Sequence, residues 1–170
     1  MNAFIALLRA VNVGGTGKMP MKDLKALCER AGFVEVQTYI ASGNVIFNSN
    51  QSEAEVKSVL ESRLEKYAGK SIGALIRTVA EMADVLSKNP FPNAVPNRTV
   101  AIFLESPPPP NALEDVVGIK DEQIRLGKRE IYISYGSGMA DSKLKIPAAR
   151  AGTARNLNTV GKLIELAQKL

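Results

Sequence analysis

The sequence predicts an α+β protein made of two ferredoxin-like (α/β-plait) subdomains in tandem, the second a variant that ends in a helix. Short apolar runs and helical stripes alternate in the order β-α-β-β-α-β over residues 1–78, and the second half begins similarly. The length of 170 residues suits two small units. We expect subdomains at 1–78 and 79–170, with a helix in place of the second one's final strand and no residue-level repeat.

The first subdomain is predicted to open with a buried strand. Residues 4–11 are almost wholly apolar and run into a glycine loop, as a strand entering a turn does. Pro20 suits the first turn of a helix, and Gly32 suits its end. Alternation over residues 34–40, a turn and the apolar run 45–47 then predict a hairpin of strands two and three.

The second helix and the fourth strand complete this subdomain. Ser52 and Glu55 have the spacing of a capping box, and Gly69 stands where a left-handed cap belongs. Residues 72–77 form the next apolar run. These signals predict a capped helix followed by a strand.

The second half repeats part of this order. Thr78 and Glu81 form another capping box, for a helix that reaches about residue 86. Residues 99–104 predict a strand, and residues 123–126 and 130–135 predict a hairpin around a Gly-Lys-Arg turn.

The remaining connections are less regular. The tetraproline 107–110 lacks backbone donors, so we expect a stiff connector or the lead into a short helix at 113–117, rather than a proline-recognition ligand. A second short helix is expected at 142–146. The last helix is expected to start near Asn156.

Composition excludes several classes of chemistry. The chain has no histidine and one cysteine, which excludes histidine bases, imidazole metal sites and an intrachain disulfide. The first residues show no basic lead before an apolar stretch, and no apolar run approaches the ~20 residues that span a bilayer. We therefore expect a cytoplasmic protein without a metal site or a membrane partner; a cofactor and the oligomeric state stay open.

The charge distribution favours an anionic partner. The net charge is +5, and the isoelectric point is about 9.4. Residues 141–170 hold 6 basic and 2 acidic residues, so most of the excess is C-terminal. A local basic patch of this kind suits a small anionic molecule or, as the alternative, RNA.

The glycine loop after the first strand is the first candidate site. Its spacing is not that of a P-loop, because Asn12 stands where the first glycine belongs and Met19 where a magnesium-binding Ser or Thr belongs. Consecutive glycine amides beside Lys18 nevertheless suit an anion nest.

Topology predicts that a second turn lies near this loop. In a ferredoxin-like sheet, strands one and two run the same way with strand three between them, so their ends share one edge about 10 Å apart. The candidates there are donors and amides without a carboxylate, which suits an oxyanion, a carbonyl or a nucleobase edge. They are Arg9, Asn12, Gly14, Gly15, Lys18, Ser42, Gly43 and Asn44. The alternative is that the asparagines satisfy turn amides and the glycines allow unusual backbone angles.

The start of the last helix is the third polar cluster. Free amides and partial positive charge at a helix N-terminus suit a phosphate or carboxylate, with Arg155, Asn156, Asn158 and Lys162 as candidates. The alternative is that Asn156 is simply the N-cap and Arg155 a solvated residue.

Two other features bear on function. Cys28 lies on the apolar stripe of the first helix, which favours a buried structural thiol. Aromatic residues make up 5% of the chain, and Tyr39 and Phe47 are the plausible members of an RNA-stacking platform in the first sheet. An enzyme stays open, although Ser42 and Lys18 lack an activating base as nucleophiles.

The same three segments carry a family resemblance. Residues 4–15, 32–45 and 153–160 resemble the domain-of-unknown-function 1697 family, with departures at Ala10, Ala41 and Leu157. The resemblance implies a bacterial protein of two α/β-plait subdomains with no established activity, so it supplies no catalytic residue. Its signature residues on this chain are Arg9, Asn12, Gly14, Gly15, Ser42, Gly43, Asn44, Arg155, Asn156 and Asn158.

Three functional hypotheses follow. The leading one is binding of a small anionic ligand (phosphate, nucleotide or carboxylate) at the strand-end edge of the first subdomain. The second is an RNA-binding module on a plait fold. The third is that the polar motifs form an interdomain structural lock.

Overall fold

The computed structural model describes residues 1–9, 19–39, 43–136 and 138–170. Within these ranges it contains four α-helices and eight strands, the strands forming two four-stranded antiparallel sheets. The chain divides into two compact units, Met1–Met82 with Lys162–Leu170, and Ala83–Gly161. The sequence placed the division after residue 78; the structural division falls four residues later and assigns the C-terminal residues to the first unit.

The first sheet has the strand order β2-β3-β1-β4. Its strands are β1 (Asn2–Leu8), β2 (Val34–Tyr39), β3 (Asn44–Ser49) and β4 (Ala74–Thr78), and the helices between them are α1 (Met21–Arg30) and α2 (Glu53–Ala68). Because β1 and β2 are each antiparallel to β3, they run in the same direction and end at the same edge of the sheet.

One apolar core holds α1 and α2 against this sheet. Alternate strand residues such as Phe4, Ala6 and Phe47 pack with the apolar stripes of both helices. The ring of Phe33 stacks on Phe47 with centroids 4.1 Å apart. The intervening residue Ile5 is also fully buried, so both faces of β1 are covered.

The predicted capping boxes are confirmed. Ser52 Oγ accepts from the backbone N of Glu55, whose carboxylate accepts from the backbone N of Ser52. Thr78 and Glu81 make the same reciprocal pair before α3. Gly69 has a φ of 71° at the end of α2, the left-handed geometry expected of a glycine cap.

The second sheet has the strand order β6-β7-β5-β8. Its strands are β5 (Thr99–Phe103), β6 (Gln123–Leu126), β7 (Glu130–Ser134) and β8 (Thr153–Asn156), preceded by α3 (Val79–Ser87) and followed by α4 (Leu157–Gln168). Short 3-10 turns occupy Pro96–Arg98 and Pro147–Ala149.

The prediction that a helix replaces the final strand of the second half is wrong, because the second sheet has a fourth strand, β8. Residues 153–156 pair antiparallel with β5, and the last helix starts directly after them. The segment reads Thr-Ala-Arg-Asn, which has neither an apolar run nor alternation of apolar residues. Because β8 is an edge strand, its backbone pairing with β5 defines it where the side-chain pattern does not.

The two predicted short helices in this half are absent. Residues 113–117 and 142–146 form turns and extended segments, and a single bridge joins Val117 to Lys145. Helical segments this short gain too few hydrogen bonds to offset nucleation. Leu113 and Leu144 instead pack against the apolar cluster of the second sheet.

Candidate functional site

The residues at the ends of β1 and β2 form the predicted edge. The backbone N of Leu8 donates to the carbonyl of Gly43, and the backbone N of Arg9 donates to the carbonyl of Gly73, both at 2.8 Å. Arg9 is half-buried. A β-carbon built on Gly73 would lie 3.2 Å from Cδ of Arg9, so the arginine side chain runs along Gly73. The edge therefore holds a cation whose backbone and aliphatic stem are fixed.

Asn44 holds the turn between β2 and β3. It is completely buried, and its Nδ2 donates to the backbone carbonyl of Tyr39 at 3.0 Å. Gly43 beside it has a φ of 85°, which favours glycine. The side chain that the sequence offered as a ligand donor is thus bonded to the backbone at the end of β2. The structural alternative expected it to satisfy a turn amide, whereas it donates to a carbonyl.

Five candidates lie outside the described residues: Asn12, Gly14, Gly15, Lys18 and Ser42. The segments that contain them begin after Arg9 and after Tyr39. Arg9 and Tyr39 lie at the same edge of the sheet, because β1 and β2 run in the same direction with β3 between them. The prediction assumed this arrangement. The role of the five candidates stays a prediction.

Arg155 lies in β8 and is buried, with 7% of its surface exposed. Its Nη1 donates to the Thr153 hydroxyl at 2.8 Å and to the Ala154 carbonyl at 2.9 Å. Burial lowers the pKa of the guanidinium to about 10, still charged at neutral pH. The interpretation of Arg155 as a solvated residue is therefore wrong.

Asn156 caps the last helix. Its Oδ1 accepts from the backbone N of Thr159 at 2.8 Å, which confirms the N-cap alternative. Asn158 is exposed. Lys162 belongs to the first unit, and its Nζ lies 3.5 Å from a carboxylate oxygen of Glu165. Lys162 has the largest effect in lowering the pKa of Glu165, and Lys169 has the next largest. The positive charge of Lys162 is therefore partly matched by Glu165 within the helix.

The structure reveals a second buried arginine that the site prediction omitted. Arg77 in β4 is 1% exposed, and its Nη1 donates to the carbonyl of Ile76 at 3.1 Å. Arg155 makes the corresponding bond to Ala154, and each arginine is followed by a helix-capping residue. The two sheets therefore share a strand-arginine-cap-helix unit on their fourth strand. The sequence signal that could have identified Arg77 is its position, since it is a charged residue between an apolar strand and a capping box.

A basic groove between α1 and α2 was also missed. It has a volume of about 460 Å³ and is lined by Arg30, Arg63 and Lys66, with Asp23 opposite Tyr67. The Tyr67 hydroxyl donates to Asp23 at 2.7 Å, and this bond raises the pKa of the tyrosine. A count of charges along the chain does not show the groove, because residues 21–68 hold six basic and seven acidic residues.

Burial settles two smaller expectations. Phe47 is completely buried in the core, so its assignment to an RNA-stacking platform is wrong. Cys28 is completely buried, and burial raises the pKa of its thiol to about 12. Among the residues described, no cluster of three or more metal-binding side chains occurs, and no helix is long and apolar enough to cross a membrane.

Comparisons with known proteins agree with the architecture. A family model described as a protein of unknown function, DUF1697, matches residues 1–132. The structure of the conserved bacterial protein SP0830 from Streptococcus pneumoniae is similar, with a TM-score of 0.79, 25% sequence identity, and coverage of 98% of each chain. No curated protein matches the chain.

Proposed function

Because the chain belongs to the domain-of-unknown-function 1697 family, whose description assigns no activity, we propose a function from the geometry alone. The protein binds a small anionic ligand (phosphate, nucleotide or carboxylate) at the edge of the first sheet where β1 and β2 end. The observation that carries this proposal is Arg9, a half-buried cation held at a strand end beside a glycine.

The chemistry of the edge supports this function. An arginine offers a planar set of donors that matches carboxylate and phosphate oxygens. Because residue 73 is a glycine, the aliphatic stem of Arg9 can lie close to the backbone there. A side chain at position 73 would crowd that stem. We assign the glycine amides of residues 14 and 15 to the anion, with Asn12, Lys18 and Ser42 as further donors. The bonded amide of Asn44 serves to hold the turn.

The same proposal includes the finer fold. Both sheets have one strand order, in which the first strand is central and the third lies beside it, as in a split βαβ arrangement. We propose two ferredoxin-like subdomains in tandem; in the second, the described residues of the connections after β5 and β7 contain no α-helix.

The segment around Arg155 favours a structural role. Its guanidinium is buried and donates to acceptors within its own strand, and Asn156 caps the following helix. We therefore assign Arg155 and Asn156 to stabilisation of the second unit and keep the anion site at the first sheet's edge.

Thermal shift measurements with phosphate, AMP and citrate test the anion site. At a ligand concentration ten times Kd, binding stabilises the wild type by about 1.4 kcal/mol, or roughly 3–5 °C. Loss of a charge-assisted pair in Arg9→Ala weakens binding about tenfold and reduces the shift to about 1 °C. Arg9→Lys retains the charge without the planar fork and gives an intermediate shift.

Two controls locate the effect. Lys25→Ala removes an exposed cation from α1 and is expected to leave the shift unchanged. The double variant Arg63→Ala/Lys66→Ala removes two of the three cations of the basic groove and is also expected to respond like the wild type. Equal shifts in wild type and Arg9→Ala would contradict the proposal. So would salt-dependent binding of single-stranded RNA that Arg9→Ala retains while all three small anions fail to bind.

A further inference from the structure

The second sheet has an apolar face that is covered by no α-helix from the described residues of its own connections. Register places Ile102, Ile131 and Ile133 on one face, and Ala101 and Tyr132 on the other. The Tyr132 hydroxyl donates to the carbonyl of Val85 in α3, so α3 lies on the tyrosine side. On the isoleucine side, Leu113 and Val116 of the connection after β5 and Leu144 and Ile146 of the connection after β7 pack against the apolar cluster of the second sheet.

The first sheet shows what such a face ordinarily receives. There the connections after β1 and β3 contain α1 and α2, whose apolar stripes complete the core. The corresponding connections after β5 and β7 contain no α-helix among their described residues. Ile102, Leu144 and Ile146 are consequently only partly buried. Val117, at the rim, is 57% exposed.

The result is a groove of about 460 Å³ on this face. Its walls are mainly aliphatic and include Ile102, Ile133, Leu144 and Ile146, and Tyr135 also lines it. That volume lies in the range of small-molecule sites, which combine apolar walls with a few polar groups.

Two cations are among the residues that line the groove. Lys145 and Arg150 line it together with the aliphatic residues. The side chain of Lys145 is exposed, and it has no ion-pair partner in the described part of the chain. Among the described residues that line the groove, none carries a carboxylate. An apolar ligand with one negative charge therefore matches both the walls and the rim.

We propose that this groove binds a small amphipathic anion, with its apolar body against the isoleucine face and its carboxylate or phosphate head at Lys145 and Arg150. The site is independent of Arg9 and belongs wholly to the second unit.

Isoleucine-methyl NMR and calorimetry with four probes test the site. Octanoate and octyl phosphate supply the two head groups, octanamide is the neutral analogue, and acetate is the head group alone. Both anions are expected to shift the methyl signals of Ile102, Ile133 and Ile146 and to leave that of Ile5 in place. Octanamide is expected to bind more weakly by roughly two- to fivefold, because it lacks the charge, and acetate is expected not to bind.

Variants separate the groove from its rim. Ala149→Phe fills the groove from the Pro147–Ala149 turn and is expected to abolish binding of both anions. Lys145→Ala is expected to weaken the anions roughly two- to fivefold and leave octanamide unchanged. Lys128→Ala removes an exposed lysine that lines a different cavity and serves as the matched control.

The outcomes are decisive in both directions. Absence of methyl shifts in the wild type overturns the site, and so does wild-type affinity in a folded Ala149→Phe variant. Equal binding of octanamide and octanoate overturns the assignment of an anionic head. If Ala149→Phe does not fold, the wild-type methyl shifts and the Lys145→Ala affinities carry the same test.

Discussion

The Lys57–Glu61 pair on α2 is expected to stabilise the protein far more than its surface position indicates. One carboxylate oxygen of Glu61 accepts from Lys57 Nζ at 2.8 Å and from the backbone N of Ala74 at 2.9 Å. Lys57 Nζ also donates to the carbonyl of Ala74 at 2.8 Å. Because β4 is an edge strand, these side chains satisfy the outward backbone groups that another strand would otherwise pair.

The magnitude follows from the burial of Ala74. This residue is completely buried, so loss of the Glu61 acceptor leaves a buried N–H without that bond, at a cost of about 1–3 kcal/mol. We expect Glu61→Ala to lower Tm by roughly 3–9 °C. Glu61→Gln keeps an acceptor for Ala74 and loses only the ion pair, so it is expected to lose about 0.5–1 kcal/mol.

Urea unfolding and hydrogen exchange of the Ala74 amide measure the two effects separately. The matched control is Asp84→Ala, which breaks an exposed ion pair with Lys88 at the same i,i+4 spacing. Glu61→Ala is expected to accelerate exchange at Ala74, whereas Asp84→Ala leaves it unchanged and costs less than about 0.5 kcal/mol. Equal losses of stability in Glu61→Ala and Asp84→Ala, with unchanged exchange at Ala74, would refute this account.

Two further predictions concern buried groups. Arg155→Ala is expected to lower the free energy of unfolding in urea by about 2–3 kcal/mol, because Arg155 donates to Thr153 and Ala154 from a buried position. Arg155→Met keeps most of the side-chain volume and is expected to lose less than half as much. Arg125 makes the same bond to its preceding carbonyl from an exposed position, so an Arg125→Ala loss as large as that of Arg155→Ala would contradict the role of burial. The thiol of Cys28 has its pKa raised from 9.0 to about 12, so between these values the unfolded chain releases a proton that the native protein keeps. The free energy of unfolding should therefore fall as pH rises. Between pH 9 and 10 the wild type is expected to lose about 1 kcal/mol more than Cys28→Ala, and equal pH dependence of the two proteins would contradict this role of the thiol.

Local signals predicted the first unit well. The reciprocal pairs Ser52–Glu55 and Thr78–Glu81 act within one turn of helix, so their spacing alone determines the cap. The buried thiol of Cys28 followed from its place on an apolar stripe.

The second unit depends on contacts that no local pattern contains. Residues 153–156 become a strand because β5 offers them a free edge, and the short segments at 113–117 and 142–146 pack as loops on the isoleucine face. Phe47 gave a similar error. Its alternation fitted either face of a strand, and only the packing of Phe33 on its ring places it in the core.

The number of basic residues in a segment and the place of those residues in the fold are different quantities, and the candidate site depends on the second. The C-terminal excess of basic residues favoured the start of α4, but there Arg155 is buried within its strand and Lys162 faces Glu165. Meanwhile the basic groove between α1 and α2 lies in a segment whose charges nearly cancel in number. Net charge counts side chains over a length of chain, whereas binding depends on which of them reach one surface. We prefer Arg9 to the larger C-terminal cluster because it is half-buried at the edge of the sheet where β1 and β2 both end.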